Sequence, residues 1–272
     1  MRILYLGDIV GKPGRSVVSK LLPRLRIDHD IDIVVAQSEN ITHGKGLSLN
    51  HFNELRRYGV DIFTGGNHSF ERKDNCKLVS DDSKPVTAPG NLINNKMPLY
   101  KIVTVDGQKI FIASILGTIY PDRLNDIFLN AFVFADKISE LIKNIKPDIS
   151  VINYHGDLSS EKVSIGHYLD GIVDLVVGDH WHVPSADARI LPNGTAHISD
   201  VGMVGTLNSS LGASLPEIYQ KIKGNKAKMK IEESGPYQLN GVIFDSAESS
   251  RSINNIRIIV DDCPGSHTSR TL

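Results

Sequence analysis

Short apolar runs alternate with helically spaced segments in the first quarter of the chain. Residues 2–7, 31–37 and 60–66 are short, mainly apolar runs, which predicts buried strands. Residues 15–30 and 48–59 instead repeat apolar positions three or four apart, which predicts helices. This strand–helix order predicts parallel strands joined by crossover helices.

The pattern changes in the rest of the chain, where strands become more frequent. Two strand-like runs flank Asp106 and Gly107 and predict a hairpin, and two more flank Asn193 and Gly194. Further predicted elements are helices at 130–146 and 159–169, and strands at 148–154, 172–178, 226–234, 237–246 and 253–260. Because both halves supply strands and no Pro/Gly/Ser-rich linker separates them, we expect one domain over residues 1–272, with two packed sheets and helices outside them.

Composition narrows the class of protein. The chain has 272 residues and a formal net charge of −1, so no overall charge steers it toward nucleic acid or anionic lipid. No apolar run reaches the roughly 18 residues of a membrane span, and the start of the chain does not resemble a signal peptide. Cys76 and Cys263 lie far apart and outside any metal-binding spacing. We therefore expect a cytoplasmic protein with free thiols and no membrane partner.

Nearly every predicted core strand ends in side chains that can bind a cation. Ligands of open α/β sheets bind beyond the carboxyl ends of the strands, so these groups should meet at one edge. Each alone could be a turn former, a loop residue or a satisfied core histidine. Together they indicate cations, because burying unpaired carboxylates costs several kcal/mol. The set of seven candidate ligands comprises Asp8, Glu39, Asn40, Asn67, His155, His180 and His182, and His68 stands next to Asn67.

The ligand types favour transition metals. Imidazole, carboxylate and amide groups without thiolate suit Mn, Fe or Zn better than Ca or Mg. We expect Fe or Mn, with Zn also acceptable. Seven ligands suit two ions that share a carboxylate, and ions roughly 3.5–4 Å apart can cleave phosphoesters with an activated bridging water.

Five sequence blocks also resemble a known family. The blocks MRILYLGDIVGKPGR, SENITHGKGL, GGNHSF, NYHGDLSSEK and GDHWHVPSADARILPNGTAHISDVGM are similar to those of the YmdB-like bacterial metallophosphoesterases. The resemblance implies a calcineurin-like four-layer α/β/β/α sandwich. It implies a dinuclear phosphodiesterase acting on cyclic nucleotides, notably 2′,3′-cyclic mononucleotides, with a regulatory role in bacterial physiology and a tendency to form homo-oligomers.

The resemblance also assigns roles to the residues at the strand ends. It places Glu39 as the carboxylate that bridges the two ions. Asp8 and His182, with Asn40, would hold one ion, and Asn67, His155 and His180 would hold the other. His68 would face the substrate and protonate the leaving oxygen or neutralise charge on the phosphate. Attack by a metal-bridging hydroxide would complete the reaction.

Some features depart from the wider superfamily or stay open. Wider metallophosphoesterases begin with Asp-x-His, whereas Ile9 and Val10 follow Asp8 here. Trp181 replaces a small residue; it either packs against a neighbouring element, which we favour, or stacks on a base. Asp179 either orients a ligand imidazole or caps a turn, and His197 is placed near the pocket.

Two loops are candidates for contacts with phosphate. The segment HGKGLS offers His43 and Lys45 as substrate-binding residues at the mouth of the site, or it is a flexible surface loop. The basic run at 221–230 fits a solvated strand edge better than an RNA groove.

The sequence supports a cytoplasmic phosphodiesterase for a small phosphodiester, and it leaves three alternatives open. The same metals could serve a phosphomonoesterase or an RNA nuclease, so RNA remains a candidate partner. A metal-containing regulator that binds a nucleotide without turnover is the third. Comparing turnover of a cyclic nucleotide, a phosphomonoester and RNA separates them.

Overall fold

A computed structural model describes residues 1–92, 97–118 and 128–262. Its strands are β1 (Arg2–Leu6), β2 (Asp8–Ile9), β3 (Ile33–Gln37), β4 (Ile62–Thr64), β5 (Lys101–Val105), β6 (Gln108–Leu116), β7 (Ile149–His155), β8 (Leu175–Asp179), β9 (Arg189–Ile190), β10 (Ala196–Ile198), β11 (Met203–Thr206), β12 (Tyr237–Asp245) and β13 (Ser252–Val260). Its helices are α1 (Gly11–Asp28), α2 (Leu49–Tyr58), α3 (Lys73–Ser80), α4 (Ala131–Ile145), α5 (Ser159–Tyr168) and α6 (Leu215–Ile222). A short 3₁₀ helix spans Asn67–Phe70.

The described strands form two sheets. The first has the order β2-β11-β12-β1-β3-β4, with β13 on the second edge of β12. The second has the order β5-β6-β7-β8-β10-β9. Within these mixed sheets, β1, β3 and β4 are parallel neighbours, as are β6, β7 and β8. Their carboxyl ends therefore share one edge of each sheet, which is where the polar residues of interest lie.

Alternation along the strands builds the layers. In β1, Ile3 and Tyr5 belong to the core between the two sheets, whereas Leu4 and Leu6 pack on the opposite face against α1, α2 and α3. The outer face of the second sheet packs against α4 and α5, for example through Phe134. The order of layers is thus helix, sheet, sheet, helix, which confirms the predicted four-layer α/β/β/α sandwich.

Local signals account for several element boundaries. Ser48 caps α2 by accepting a hydrogen bond from the His51 amide, and Gly59 ends the same helix with a left-handed φ of 104°. Pro23 does not divide α1, which continues through it to Asp28. Both predicted hairpins form, as β5–β6 and β9–β10.

One predicted strand is wrong. The alternation of lysine and apolar residues at 226–234 predicts a strand, but the segment makes only an isolated bridge between Ile231 and Ala213. The Thr206 hydroxyl of β11 donates to the Glu232 carbonyl at 2.6 Å, so this segment meets a strand through a side chain. It therefore contacts β11 without forming a backbone ladder with it.

No helix among the described residues is both long and apolar enough to span a bilayer. The prediction of free thiols can be followed for Cys76, which is a free cysteine, whereas Cys263 lies outside the described residues.

Candidate metal centre

The predicted site residues lie just beyond the carboxyl ends of β1, β3, β4, β7 and β8. Glu39, His155 and His180 come closest together, since each offers a ligand atom and these atoms lie within 4.8 Å of one another. Nε2 of His155 is 3.3 Å from Oε2 of Glu39 and 2.9 Å from Oδ1 of Asn67. Side chains from three sequence-distant segments, those of Glu39, Asn67 and His155, therefore meet at Nε2 of His155.

Asp8, His182 and Asn40 extend this group. Oδ1 of Asp8 lies 3.7 Å from Nε2 of His182, and Oδ2 of Asp8 accepts a hydrogen bond of 3.2 Å from the His180 amide. Nδ1 of His182 donates to the Leu211 carbonyl at 2.9 Å, so Nε2 is the nitrogen left as an acceptor. The Asn40 amide nitrogen donates to the Gly44 carbonyl.

The backbone is adjusted to let these groups meet. His180 and His182 have φ values of 99° and 61°, which non-glycine residues adopt rarely and which concentrate at functional sites. Gly66 lies so close to the site that a Cβ added to it would be 2.3 Å from Oε2 of Glu39 and 2.6 Å from the His155 ring. A glycine is required there because any side chain would enter the space between the ligands.

The carboxylates and imidazoles perturb one another strongly. Burial and the nearby Asp179 carboxylate raise the pKa of Asp8 well above its usual value. Burial opposes ionisation of Glu39 as well, but His155 and His68 together outweigh it and lower the pKa of Glu39 to about 2. Burial together with His155 lowers the pKa of His180 to about 4, so His180 stays neutral and able to coordinate at neutral pH.

Asp179 orients a candidate ligand imidazole, which is one of the two roles that the sequence left open. Its Oδ1 accepts from Nδ1 of His155 at 2.6 Å, which leaves Nε2 of His155 directed at the candidate ligands. Its Oδ2 accepts from Gln37 and Asn153 at 2.8 and 2.5 Å, and from the Tyr5 hydroxyl at 3.1 Å. These donors lie within apolar strands, so in the sequence the only sign of them is a polar residue at a position where an apolar one is expected.

A buried ion pair holds the turn that carries the two histidines. Lys162 is fully buried, and its Nζ donates to the Asp179 carbonyl at 2.6 Å and to Oδ2 of Asp200 at 2.7 Å. The same Nζ lies 3.8 Å from the centroid of the Trp181 ring, and the Trp181 amide donates to Asp200. Trp181 therefore packs, as favoured from the sequence, and it packs on the lysine that supports the turn.

His68 lies beside the buried candidate ligands, and its side chain is more exposed than theirs. Its side chain is 26% exposed, its amide donates to Oε2 of Glu39, and its Nδ1 lies 2.5 Å from Oε1 of Glu71. The other oxygen of Glu71 accepts from Nζ of Lys45 at 2.8 Å. Lys45, Glu71 and His68 thus form a charged row, in which Glu71 went unnoticed in the sequence because it stands in a loop without a recognisable motif.

His43 and His197 take other positions. His43 is exposed, and its ring centroid lies 6.2 Å from that of His51; among the described residues no contact joins it to the metal-centre candidates. His197 was expected near the pocket, but Ala196 and Ile198 on either side of it face the core between the sheets. His197 therefore points to the opposite face, where a Cβ on Gly166 of α5 would lie 2.6 Å from its Nδ1.

The residues present fit divalent cations. Oδ1 of Asp8 and Oδ1 of Asn40 are buried and have no hydrogen-bond partner among the described residues, so two oxygen ligands are unsatisfied. Asp8, Glu39 and Asp179 are all buried, and a positive charge would offset their repulsion. The imidazole nitrogens and the carboxylate and amide oxygens are ligands that Mn, Fe and Zn accept.

Comparison with known proteins places the chain. A family model described as YmdB-like protein matches residues 4–259. The 2′,3′-cyclic-nucleotide 2′-phosphodiesterase of Bacillus subtilis is 34% identical over 266 residues, covering 96% of this chain and 98% of that protein. A crystal structure titled a novel phosphatase, from Mycoplasma pneumoniae, is 34% identical with a TM-score of 0.85 and covers 96% of this chain and 94% of that one.

A more distant structure shares the fold alone. The NAD nucleotidase of Haemophilus influenzae is 16% identical with a TM-score of 0.55, and the match covers 96% of this chain and 56% of that one. This likeness agrees with the α/β/β/α order of layers described above. The family match over nearly the whole described chain decides the assignment: the chain belongs to the YmdB-like protein family.

Proposed function

We propose that this protein is a phosphoric ester hydrolase, and more narrowly a dinuclear metal-dependent phosphodiesterase. The observation that carries the proposal is the convergence of Glu39, His155 and His180 within 4.8 Å beside the unsatisfied Oδ1 of Asp8. The names of the Bacillus subtilis and Mycoplasma pneumoniae relatives, a phosphodiesterase and a phosphatase, point to the same class of reaction.

The proposed division of ligands follows the contacts. Asn67, His155 and His180 would hold one ion, Asp8, His182 and Asn40 would hold the other, and Glu39 would serve both. We propose Fe or Mn, with Zn as an acceptable replacement, because the site combines imidazole with oxygen ligands. When bound, such ions supply an activated water and positive charge for the phosphoryl oxygens.

The chain's own residues account for the other parts of the reaction. Asp179 holds the His155 ring in one tautomer and one orientation. His68 is placed beside the ligands and exposed enough to reach a substrate, so we propose that its Nε2 carries the proton that the leaving oxygen receives. Glu71 fixes the ring from Nδ1, and Lys45 adds a positive charge next to the phosphate.

We propose 2′,3′-cyclic nucleotides as the substrate class. The Bacillus subtilis relative that carries this substrate in its name matches this chain over 98% of its own length. Hydrolysis of the bond to O2′ would add water oxygen to phosphorus, return a proton to O2′ and leave a 3′-phosphate.

The test is to compare three substrates after loading the protein with Mn²⁺ or Fe²⁺. Conversion of 2′,3′-cyclic AMP to 3′-AMP, with much slower turnover of p-nitrophenyl phosphate and internal RNA linkages, supports the proposal. Preferential cleavage of the phosphomonoester or of internal RNA bonds would replace it with one of the alternative hydrolases. Tight nucleotide binding without product would replace it with a binding regulator.

We further propose a cytoplasmic location and self-association. The location is supported by the two widely spaced cysteines, of which Cys76 is a free thiol. Mass measurement by light scattering at several concentrations tests the oligomeric state.

A further inference from the structure

Residues 215–230, here called the lysine arm, carry a concentrated positive charge. The arm consists of α6 and the irregular segment that follows it. It holds five lysines and one glutamate, a net charge of +4, in a chain whose formal net charge is −1. Lys230 pairs with Glu217 at 3.0 Å. Lys221, Lys223, Lys226 and Lys228 are exposed, and none of them has an ion pair with another described residue.

The base of the lysine arm is attached to the candidate metal centre. The Leu211 carbonyl just before the arm accepts the hydrogen bond from Nδ1 of His182. At the other end, the Ile231 side chain packs on Gly11 and Gly44, since a Cβ added to either glycine would lie 2.6 or 3.7 Å from its Cδ1. Gly44 in turn accepts the hydrogen bond from the Asn40 amide. The residues that flank the arm therefore contact the proposed ligand His182 at one end and the hydrogen-bond partner of Asn40 at the other.

The two ends are also tied to each other. The Ser214 amide donates to the Lys230 carbonyl at 3.0 Å, and the Glu232 amide donates to the Gly212 carbonyl at 2.9 Å. These backbone hydrogen bonds therefore close the lysine arm at its base. The eight-residue helix α6 is about 12 Å long, and three of the four free lysines lie on the segment that follows it.

The arm exposes ring and aliphatic surface between its charges. No residue of α6 is buried. Tyr219, Ile222 and Met229 are 53%, 79% and 45% exposed. A positive surface with an exposed aromatic ring suits a flexible polyanion with bases that can stack, because single-stranded nucleic acids are bound by lysines along the backbone and by rings under the bases.

We propose that the lysine arm binds the backbone of single-stranded RNA whose 3′ end, a 2′,3′-cyclic phosphate, enters the metal centre. This inference rests on the proposed function, and it deepens that function by naming a polymeric substrate. The reacting group is the same as in a cyclic mononucleotide. Water adds to phosphorus, the bond from phosphorus to O2′ breaks, O2′ takes the proton, and the RNA retains a 3′-phosphate. The nucleotides upstream of that end carry the phosphates that the lysines meet.

Charge complementarity distinguishes this occupant from a second copy of the chain. Four lysines without partners would repel the same surface on another copy, whereas each RNA phosphate supplies a compensating charge and releases a bound counterion. The strand expected at 226–234, which would have made this segment an ordinary sheet edge, does not form.

The experiment compares two substrates and two charge variants. The substrates are 2′,3′-cyclic AMP and an eight-nucleotide RNA that ends in a 2′,3′-cyclic phosphate. The test variant is K221Q/K223Q/K226Q/K228Q, and the matched control is K109Q/K137Q/K143Q/K146Q, which removes four exposed lysines from β6, α4 and the end of α4. All three proteins are loaded with the same metal, and their molecular masses are measured.

The proposal predicts a selective loss. The test variant should keep the wild-type kcat/KM for cyclic AMP and lose about 10- to 100-fold for the RNA at low salt, while the control variant keeps both. The wild-type dependence of RNA turnover on salt should be steep, with each lost phosphate contact reducing the slope by about 0.7. Equal turnover of RNA by test and control variants, an equal loss on both substrates, or a change confined to molecular mass would overturn the proposal.

A binding measurement separates this inference from the proposed function. Fluorescence anisotropy with the same RNA carrying a 3′-phosphate needs no turnover. Weaker binding by the test variant than by the control supports the role of the arm. If the wild-type protein hydrolyses cyclic AMP but binds this RNA no better than the test variant does, the arm proposal fails and the proposed function stands. If neither cyclic substrate is hydrolysed, the proposed function fails.

Discussion

Oδ1 of Asp179 lies 2.6 Å from Nδ1 of His155, and both side chains are completely buried. The contact fixes which imidazole nitrogen faces the candidate metal centre. In Asp179→Asn the amide oxygen could still accept from His155, but the amide NH₂ would then face the donors of Gln37 and Asn153. We predict a 10- to 100-fold loss of metal affinity, a typical effect of removing the group that orients a ligand histidine.

Metal titration calorimetry on the metal-free protein measures this change. Asp187→Asn is a matched control, because Asp187, in the loop before β9, also accepts several hydrogen bonds but from Ser185 and Ser199. Wild-type metal affinity in Asp179→Asn would contradict the orienting role.

Glu71 should affect turnover without affecting metal content. In Glu71→Gln the ring of His68 loses its charged partner at Nδ1 and the row to Lys45 is broken. We predict that kcat for 2′,3′-cyclic AMP falls about tenfold or more in this variant. In His68→Asn, kcat should fall further, within the ~10²–10⁴-fold range of general acid catalysis. Steady-state kinetics with parallel metal analysis checks both, with Asp74→Asn in the first turn of α3 as control. Undiminished kcat in fully loaded His68→Asn would remove the general-acid assignment.

Removing one partner of the Lys162–Asp200 ion pair should lower the free energy of unfolding more than removing both partners. Burial raises the pKa of Asp200 to about 6, and Lys162 limits the rise. Lys162→Met leaves a buried carboxylate without its cation, which costs about 3–5 kcal/mol. We predict that Lys162→Met/Asp200→Asn regains part of this loss. Urea unfolding at pH 7.5 measures both, and a double variant no more stable than Lys162→Met would argue against the pair.

Hydrophobic periodicity was sufficient to predict the layers and the edge where the site lies. Residues that end parallel strands must meet at one edge, so Asp8, Glu39 and His155 could be placed together before their distances were known. Burial on both faces made these strands conspicuous as continuous apolar runs.

The supporting residues could not be predicted in the same way. Lys162 stands in the middle of α5, where a lysine ordinarily faces solvent, and its burial depends on Asp200 from a distant loop. Glu71 contacts His68 only because the chain turns through a 3₁₀ helix there. The false strand at 226–234 shows the converse: alternation of lysine and apolar residues does not by itself produce a strand, since this segment forms only an isolated bridge.

His197 should make folding stability sensitive to mild acid. Burial lowers the pKa of His197 to about 4 from its ordinary value of 6.5. The unfolded chain therefore binds a proton between pH 6.5 and 4 that the folded chain does not, so the free energy of unfolding decreases as the pH falls through this interval. The decrease attributable to His197 is about 3 kcal/mol.

Denaturant unfolding at several pH values measures this contribution. His197→Gln, whatever its stability at pH 7.5, should lose about 3 kcal/mol less than the wild-type protein between pH 6.5 and 4. His29→Gln, at the C-terminal end of α1, is the matched histidine-to-glutamine control. Parallel pH profiles for wild type and His197→Gln would show that His197 is not the titrating group.

We propose that one buried carboxylate, Glu39, joins two ion sites. Metal content after loading with Mn²⁺ or Fe²⁺ and desalting, measured by inductively coupled plasma mass spectrometry, tests it most directly. Glu39→Gln keeps the shape of the side chain, and Glu54→Gln on α2 is the matched control. We predict two ions per chain in the wild-type and control proteins and fewer than one in Glu39→Gln, with activity lost in parallel. One ion or none in the wild-type protein, or two in Glu39→Gln, would contradict the account.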